Sequence, residues 1–206
     1  MSLCFDGREG GKPIEVMGLM SGRMDTEVEG GIVITNAYPL PITGFETRVI
    51  ADDSDTVNFM INLSESLEGK DEHICGWYHS HPFDLGPLTH SYFSSTDLST
   101  QLSWQRSEDP HGNPWVGAVV DPLRSLSRRE LCMKTFRAYP PEYSSPVTHE
   151  CPDGSVVKKE QERLEKWGTC WNRYYEVSAS MACGPHTFVN EGGERADLGG
   201  TSATFV

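Results

Sequence analysis

Ile74–Pro82 reads Ile-Cys-Gly-Trp-Tyr-His-Ser-His-Pro. A short apolar and aromatic run that ends at a proline is the signature of a buried strand. Residues i and i+2 of an extended chain point to the same side, so His79 and His81 can reach one point in space. Pro82 keeps its predecessor extended and protects that geometry. A Pro- and Gly-bearing loop, Phe83–Phe93, follows. Ser94-Ser95-Thr96-Asp97 then opens a helix in which Leu98 and Leu102 stand four apart.

Working outward, Ile14–Met20 (IEVMGLM) and Gly31–Ala37 (GIVITNA) predict a strand pair across the turn Asp25–Gly31. Asp52, Asp53, Ser54 and Asp55 signal a helix start, with Val57, Met60, Ile61 and Leu67 at helical spacing. Trp115–Val120 and Glu130–Tyr139 read as strands stopped by Asp121-Pro122 and Pro140-Pro141. Val157–Tyr175 predicts a helix with Val157, Leu164, Trp167, Trp171, Tyr174 and Tyr175 on one face, weakened by Gly168. Residues 182–206 are Gly-rich without periodicity and are expected to be disordered. Strands alternating with helices predict an α/β fold of packed layers.

The chain has 206 residues, 37% of them hydrophobic and 10% aromatic, enough to bury a core in one domain with an appendage. Its 17 basic residues against 30 acidic ones give a net charge of −13, which excludes nucleic acid and anionic membrane as natural partners. Met1–Gly11 carries early acid and no apolar core, so it does not read as a signal peptide, and no apolar run is long enough to span a bilayer. The six cysteines show no CxxC and no framework spacing, and read as reduced thiols. A protein of cytoplasm and nucleus is expected.

Each chemical signal has a plain alternative. A His-x-His strand is often a pair of satisfied histidines, and Ser94-x-x-Asp97 is also a capping box. Their combination is more specific. With 7 His and 13 Pro in 206 residues, His-x-His-Pro arises by chance in roughly 1–2 percent of such chains. Two neutral imidazoles and one carboxylate leave a divalent zinc with net positive charge and an open position, the pattern of a catalytic site. Glu15 is a charge embedded in an apolar strand, costly unless paired, solvated or functional. Beside a metal it is the natural general base. Cys183-x-x-His186 lacks a second pair and is not read as a metal site.

Glu15, His79-Ser80-His81-Pro82 and Ser94-x-x-Asp97 together resemble the JAMM (Jab1/MPN/Mov34 metalloenzyme) motif. Flanking pieces such as Glu15–Met20 (EVMGLM), Leu40–Val49 (LPITGFETRV), Val119–Ser125 (VVDPLRS) and Phe136–Tyr143 (FRAYPPEY) resemble the COP9 signalosome subunit 5 branch of that family. The resemblance implies an MPN domain over residues 10–145, a mixed β-sheet flanked by helices in a cytidine deaminase-like layering. A C-terminal helical extension over 146–181 would follow, then the tail 182–206. It further implies a zinc-dependent isopeptidase that removes the ubiquitin-like modifier NEDD8 from cullins by zinc-activated water. One Zn2+ would be bound by His79, His81 and Asp97. Glu15 would handle the proton, Ser94 would stabilise the oxyanion, and Glu46 would belong to a gating loop. Partners would be other COP9 signalosome subunits and the NEDD8-modified cullin. A proteasome-lid-type deubiquitinase and an inactive MPN scaffold subunit are the alternatives.

Three departures stand out. The eleven residues Phe83–Phe93 make the loop between Pro82 and Ser94 longer than in the family. Lengthening a loop by half costs only about 0.4 kcal/mol, so the site remains closable. Met1–Gly11 is too short for the family's first helix, and the text after Ser180 resembles nothing in it, which suggests a truncated or divergent form.

Overall fold

The computed structural model describes residues 15–40, 54–82, 91–184, 187–189, 195–197 and 200–205. In chain order these form β1 (Met17–Met24), β2 (Ile32–Pro39), α1 (Ser54–Leu67), β3 (His73–Ser80) and α2 (Ser95–Glu108). There follow β4 (Val116–Val120), α3 (Pro122–Arg128), β5 (Met133–Ala138), α4 (Glu160–Trp167) and β6 (Tyr174–Val177). Short strands β7 (Ala179–Gly184), β8 (Thr187–Val189), β9 (Arg195–Asp197) and β10 (Gly200–Phe205) complete the described elements. One mixed sheet runs in the order β6-β5-β4-β3-β1-β2-β10-β7. Within it β3 and β4 are parallel, and the other pairs are antiparallel. A parallel pair needs a crossover, and α2 supplies it.

The α/β layering expected from the sequence is therefore present, with β3 in the middle of the sheet. Strands with neighbours on both sides bury both faces and read as continuous apolar runs. On one face Leu19, Trp77, Phe93, Val119, Phe136 and Tyr174 pack with helix residues Leu63, Leu67, Leu98 and Trp167. On the other face Met20, Ile32, Ile34, Cys75, Val116 and Ala118 form a smaller cluster. A bulge in β3 separates these roles. Met20 pairs with Gly76 and Ser21 with Ile74, so Cys75 is left out of the register. The extra residue turns Ile74 toward the first cluster and Cys75 toward the second.

Several expectations are corrected. In α1, Leu63 and Leu67 are buried, whereas Val57 and Ile61 face solvent, so the helix is rotated from the face the spacing predicts. The long helix over Val157–Tyr175 is only α4. Gly168 at its end adopts φ 72°, a left-handed conformation that L-residues rarely take, and the chain turns there. Tyr174 then enters β6, and its hydroxyl donates back to the Trp167 carbonyl at 2.6 Å. Trp167, Trp171 and Tyr174 share a core across that turn, whereas Tyr175 packs against Tyr139. The segment expected as a helical extension thus adds one helix and one strand to the same sheet and core. Within the tail, the described residues of β10 pair with β2 through Ala203–Ile34, Thr204–Val33 and Phe205–Ile32. An open edge at β2 and the β-prone Thr and Phe residues outweigh the local glycines. Among the described residues no helix is long and apolar enough to cross a membrane.

Cys75 has no exposed surface, and burial pushes its thiol up to about 12. The thiolate is the reactive form, so at pH 8 Cys75 should resist iodoacetamide in the native chain and react once denatured. Peptide mass spectrometry checks this. Modification of native Cys75 at the rate of half-exposed Cys132 would contradict the packing of β3.

Candidate metal centre

The end of β3 meets the start of α2, and the two elements carry complementary donors. His79 pairs in register with Met17 of β1 and Val119 of β4, which places it in the sheet's middle. His81 lies just beyond the strand, where its N–H donates to the Val120 carbonyl at 2.9 Å. Asp97 sits in the first turn of α2, held by the reciprocal cap that the Ser-x-x-Asp spacing predicts. Ser94 N–H donates to Asp97 Oδ2 at 2.8 Å, and Asp97 N–H donates to Ser94 Oγ at 3.2 Å. The capping reading is borne out, and the same cap fixes the Asp97 carboxylate where a metal could meet it.

The three donors converge. His79 Nε2 lies 3.0 Å from His81 Nε2 and 3.2 Å from Asp97 Oδ1, and His81 Nε2 is 3.5 Å from Asp97 Oδ2. All three residues are buried, at 1%, 6% and 2% exposure for His79, His81 and Asp97. A tetrahedral ion with bonds of 2.0–2.1 Å holds its ligand atoms about 3.3 Å apart, close to these separations. Two imidazole nitrogens facing each other at 3.0 Å have room for one proton between them, so a lone pair also faces inward. Burying a carboxylate beside that lone pair is costly without a cation. Donor chemistry, spacing and burial therefore fit a divalent metal, with two nitrogens and an oxygen as zinc prefers.

Charge around the site follows the same logic. Burial pushes the Asp97 carboxyl up, but the attraction and hydrogen bonds of His79 and His81 outweigh it and hold it well below the usual carboxylate range. Glu15, half-buried just before β1, behaves oppositely. Burial raises its carboxyl, while His81 and His79 draw it down by less and Asp97 adds to the rise. Glu15 is thus within electrostatic reach of all three candidate ligands. Its position is set by its neighbour. Val16 N–H donates to Ser80 Oγ, and Val16 accepts from Ser80 N–H, both at 2.9 Å. Ser80, the residue between the histidines, was not singled out in the sequence. It ties the Glu15 segment to β3.

Other sequence candidates divide. Ser94 is half-buried at the mouth of α2, beside Asp97. Glu46, the gating-loop candidate, lies outside the described residues. Sequence reasoning also missed Trp77 and Gln101. The Trp77 ring stacks on His79 with centroids 4.6 Å apart and 9° between planes, and its N–H donates to Gln101 Oε1 at 2.7 Å. The available signal was a polar residue where α2 needs an apolar inward position.

A family model described as JAB1/Mov34/MPN/PAD-1 ubiquitin protease matches residues 3–110, which contain Glu15, His79, His81, Ser94 and Asp97. The chain belongs to this family. Over 185 residues it is 34% identical to COP9 signalosome complex subunit 5 of Yarrowia lipolytica and to that of Caenorhabditis elegans. These matches cover 88% of this chain, and 48% and 45% of the two relatives. The Drosophila melanogaster protein of the same name is 32% identical over 182 residues, covering 87% of this chain and 50% of the relative. The chain thus spans about half the length of the relatives it matches. The family match extends the expected MPN fold to this chain, and the mixed sheet agrees with it.

Zinc-loaded chain, dialysed exhaustively against metal-free buffer, should retain one zinc per chain by elemental analysis. His81→Ala should lose it, since two ligands remain of a site built from three. Equal zinc in wild type and His81→Ala would show that the convergence of these side chains does not make a metal centre.

Proposed function

We propose that this chain is a zinc-dependent isopeptidase of the COP9 signalosome subunit 5 type, which removes the ubiquitin-like modifier NEDD8 from cullins. The reading is carried by one observation: two buried imidazoles and a buried carboxylate converge within 3.5 Å, with Glu15 in electrostatic reach. A divalent ion bound by His79, His81 and Asp97 supplies Lewis acidity, polarising a carbonyl and acidifying water. The remaining tasks fall to the chain's own side chains.

Glu15 is the proton carrier. Its carboxyl is raised by burial, which makes the carboxylate a stronger base than one in water. It takes a proton from the attacking water and returns it to the lysine amine as the isopeptide C–N bond breaks. Ser94 Oγ already accepts from Asp97 N–H, so its own proton is left to donate. It is directed at the carbonyl oxygen as negative charge develops there. Trp77 and Phe93 stack near His79 and exclude water from the inner side of the site.

Other COP9 signalosome subunits are the proposed partners, consistent with the names of the relatives at 32–34% identity. Cytoplasm and nucleus are the proposed location. Free thiols at Cys75, Cys132, Cys151 and Cys170 accord with a reducing compartment.

The test is cleavage of a NEDD8–cullin conjugate by the zinc-loaded chain, alone and mixed with the other signalosome subunits. Glu15→Gln keeps the shape and removes the base, so it should retain zinc while losing about 10²–10⁴-fold in kcat. Cleavage of ubiquitin conjugates in preference to NEDD8 conjugates would favour the proteasome-lid-type deubiquitinase. Cleavage of neither, in a chain that binds no zinc, would leave an MPN scaffold.

A further inference from the structure

The metal ligands come from two elements, which meet within the triad only through the His79–Asp97 and His81–Asp97 contacts at 3.2 and 3.5 Å. His79 and His81 belong to the β3 segment, whereas the cap that orients Asp97 is internal to α2. A helix is ordinarily docked by an apolar stripe. Here the buried residues of α2 are Asp97, Leu98 and Gln101, so two of the three are polar. Leu98, Leu102 and Trp104 still supply apolar contacts, with Trp104 stacked on Trp115 at 4.7 Å, and hydrogen bonds from the buried polar side chains add direction to that packing.

Gln101 is fully buried and makes those bonds. Its Oε1 accepts from Trp77 Nε1 at 2.7 Å, and its Nε2 donates to the Trp115 carbonyl at 2.9 Å and to Gln105 Oε1 at 2.9 Å. Gln105 in turn accepts from Ala138 N–H at 2.6 Å and donates to the Ala138 carbonyl at 3.2 Å. The pair of glutamines thus ties α2 to β3, to the residue preceding β4, and to β5.

Register makes this more than general support. Gln101 lies one helical turn after Asp97, and Trp77 lies two strand residues before His79, so both pairs share the same faces. Trp77–Gln101 is the next rung below His79–Asp97. The indole that Gln101 holds is the one stacked on the His79 imidazole. Gly117 makes room for the rung: a Cβ there would stand 2.7 Å from Gln101 Oε1, 3.0 Å from Trp77 Nε1 and 2.6 Å from the Phe93 ring.

We propose that Gln101 is the positioning residue of the metal centre, setting through Trp77 both the His79 ring plane and the spacing between the histidines and Asp97. This inference rests on the reading of His79, His81 and Asp97 as metal ligands. Outer partners that orient a ligand typically contribute about 10–100-fold in metal affinity.

Cobalt(II) is the probe, because its visible absorption reports ligand geometry without any turnover. Full-length chain is titrated with cobalt and then competed with zinc, for wild type, Gln101→Leu, Trp77→Phe and the double variant. Gln101→Leu should weaken cobalt binding about 10–100-fold and alter the absorption band. Trp77→Phe keeps a stacking ring but loses the N–H, and should do the same. The double variant should be no worse than Gln101→Leu, which already loses the shared Trp77–Gln101 bond. Ile34→Val, in the cluster on the opposite face of the sheet, should lower the melting temperature with the cobalt spectrum unchanged. Wild-type affinity and spectrum in either folded single variant would overturn the proposal. Wild type that takes up no cobalt would overturn the metal reading itself, and the positioning role with it.

Discussion

A carboxylate buried against two buried imidazoles is the constraint from which the other placements follow. Removing Asp97 from water needs compensation, to which the Ser94 N–H at 2.8 Å and the His79 and His81 imidazoles within 3.5 Å contribute. That pairing requires β3 to end beside the first turn of α2, which requires α2 to cross from β3 to its parallel neighbour β4. The crossover in turn puts β3 in the middle of the sheet, with strands on both sides. Glu15 enters by the same route, because Ser80 between the two histidines grips Val16 from both its backbone and its hydroxyl.

The sequence before Ser94 is longer than in the family, and the packing of Phe93 fixes where α2 begins. Phe93 immediately precedes Ser94 and is fully buried. Its ring lies 5.1 Å from Phe136, 5.3 Å from Tyr174 and 6.1 Å from Trp77. A fully buried Phe side chain is worth about 1.5–3 kcal/mol, several times the roughly 0.4 kcal/mol cost of the extra loop length. Tyr92 adds an edge contact to His81. The position of Ser94 is therefore set by the aromatic core behind it, and loop length is free to vary.

What the sequence made legible divides by the range of the physics. The β3 strand, the two-residue spacing of its histidines and the Ser94–Asp97 cap are local patterns, and the structure reproduces them. Glu15 was legible because a charge in an apolar run needs a reason. The helix over Val157–Tyr175 was misread because periodicity counted the aromatic residues but not the turn at Gly168, across which Trp167 and Tyr174 fold onto Phe136. The α1 face was misjudged by helical spacing alone, since Val57 and Ile61 fit the period but not the surface it meets. Gln101 carried only the local signal of a polar residue at an inward position, and Ser80 carried none. Their roles are contacts across 24 and 64 residues of chain, which no window along the sequence contains.

The turn at Gly168 also changes what the second half of the chain is for. A helical extension would be separable from the domain before it, but α4 and β6 are not. Trp167 and Tyr174 close the cluster that holds Phe93, and Tyr174 is fully buried there. Gly168 comes so close to the Tyr92 ring that a Cβ would stand 2.9 Å from it. The residues that fix Ser94 and flank His81 are thus packed from behind by residues far beyond the family's matched segment, which ends at 110. The boundary of the motif is not the boundary of the site. The chemistry-bearing side chains lie between residues 15 and 97, but the rigidity they depend on is completed only when β6 joins β5.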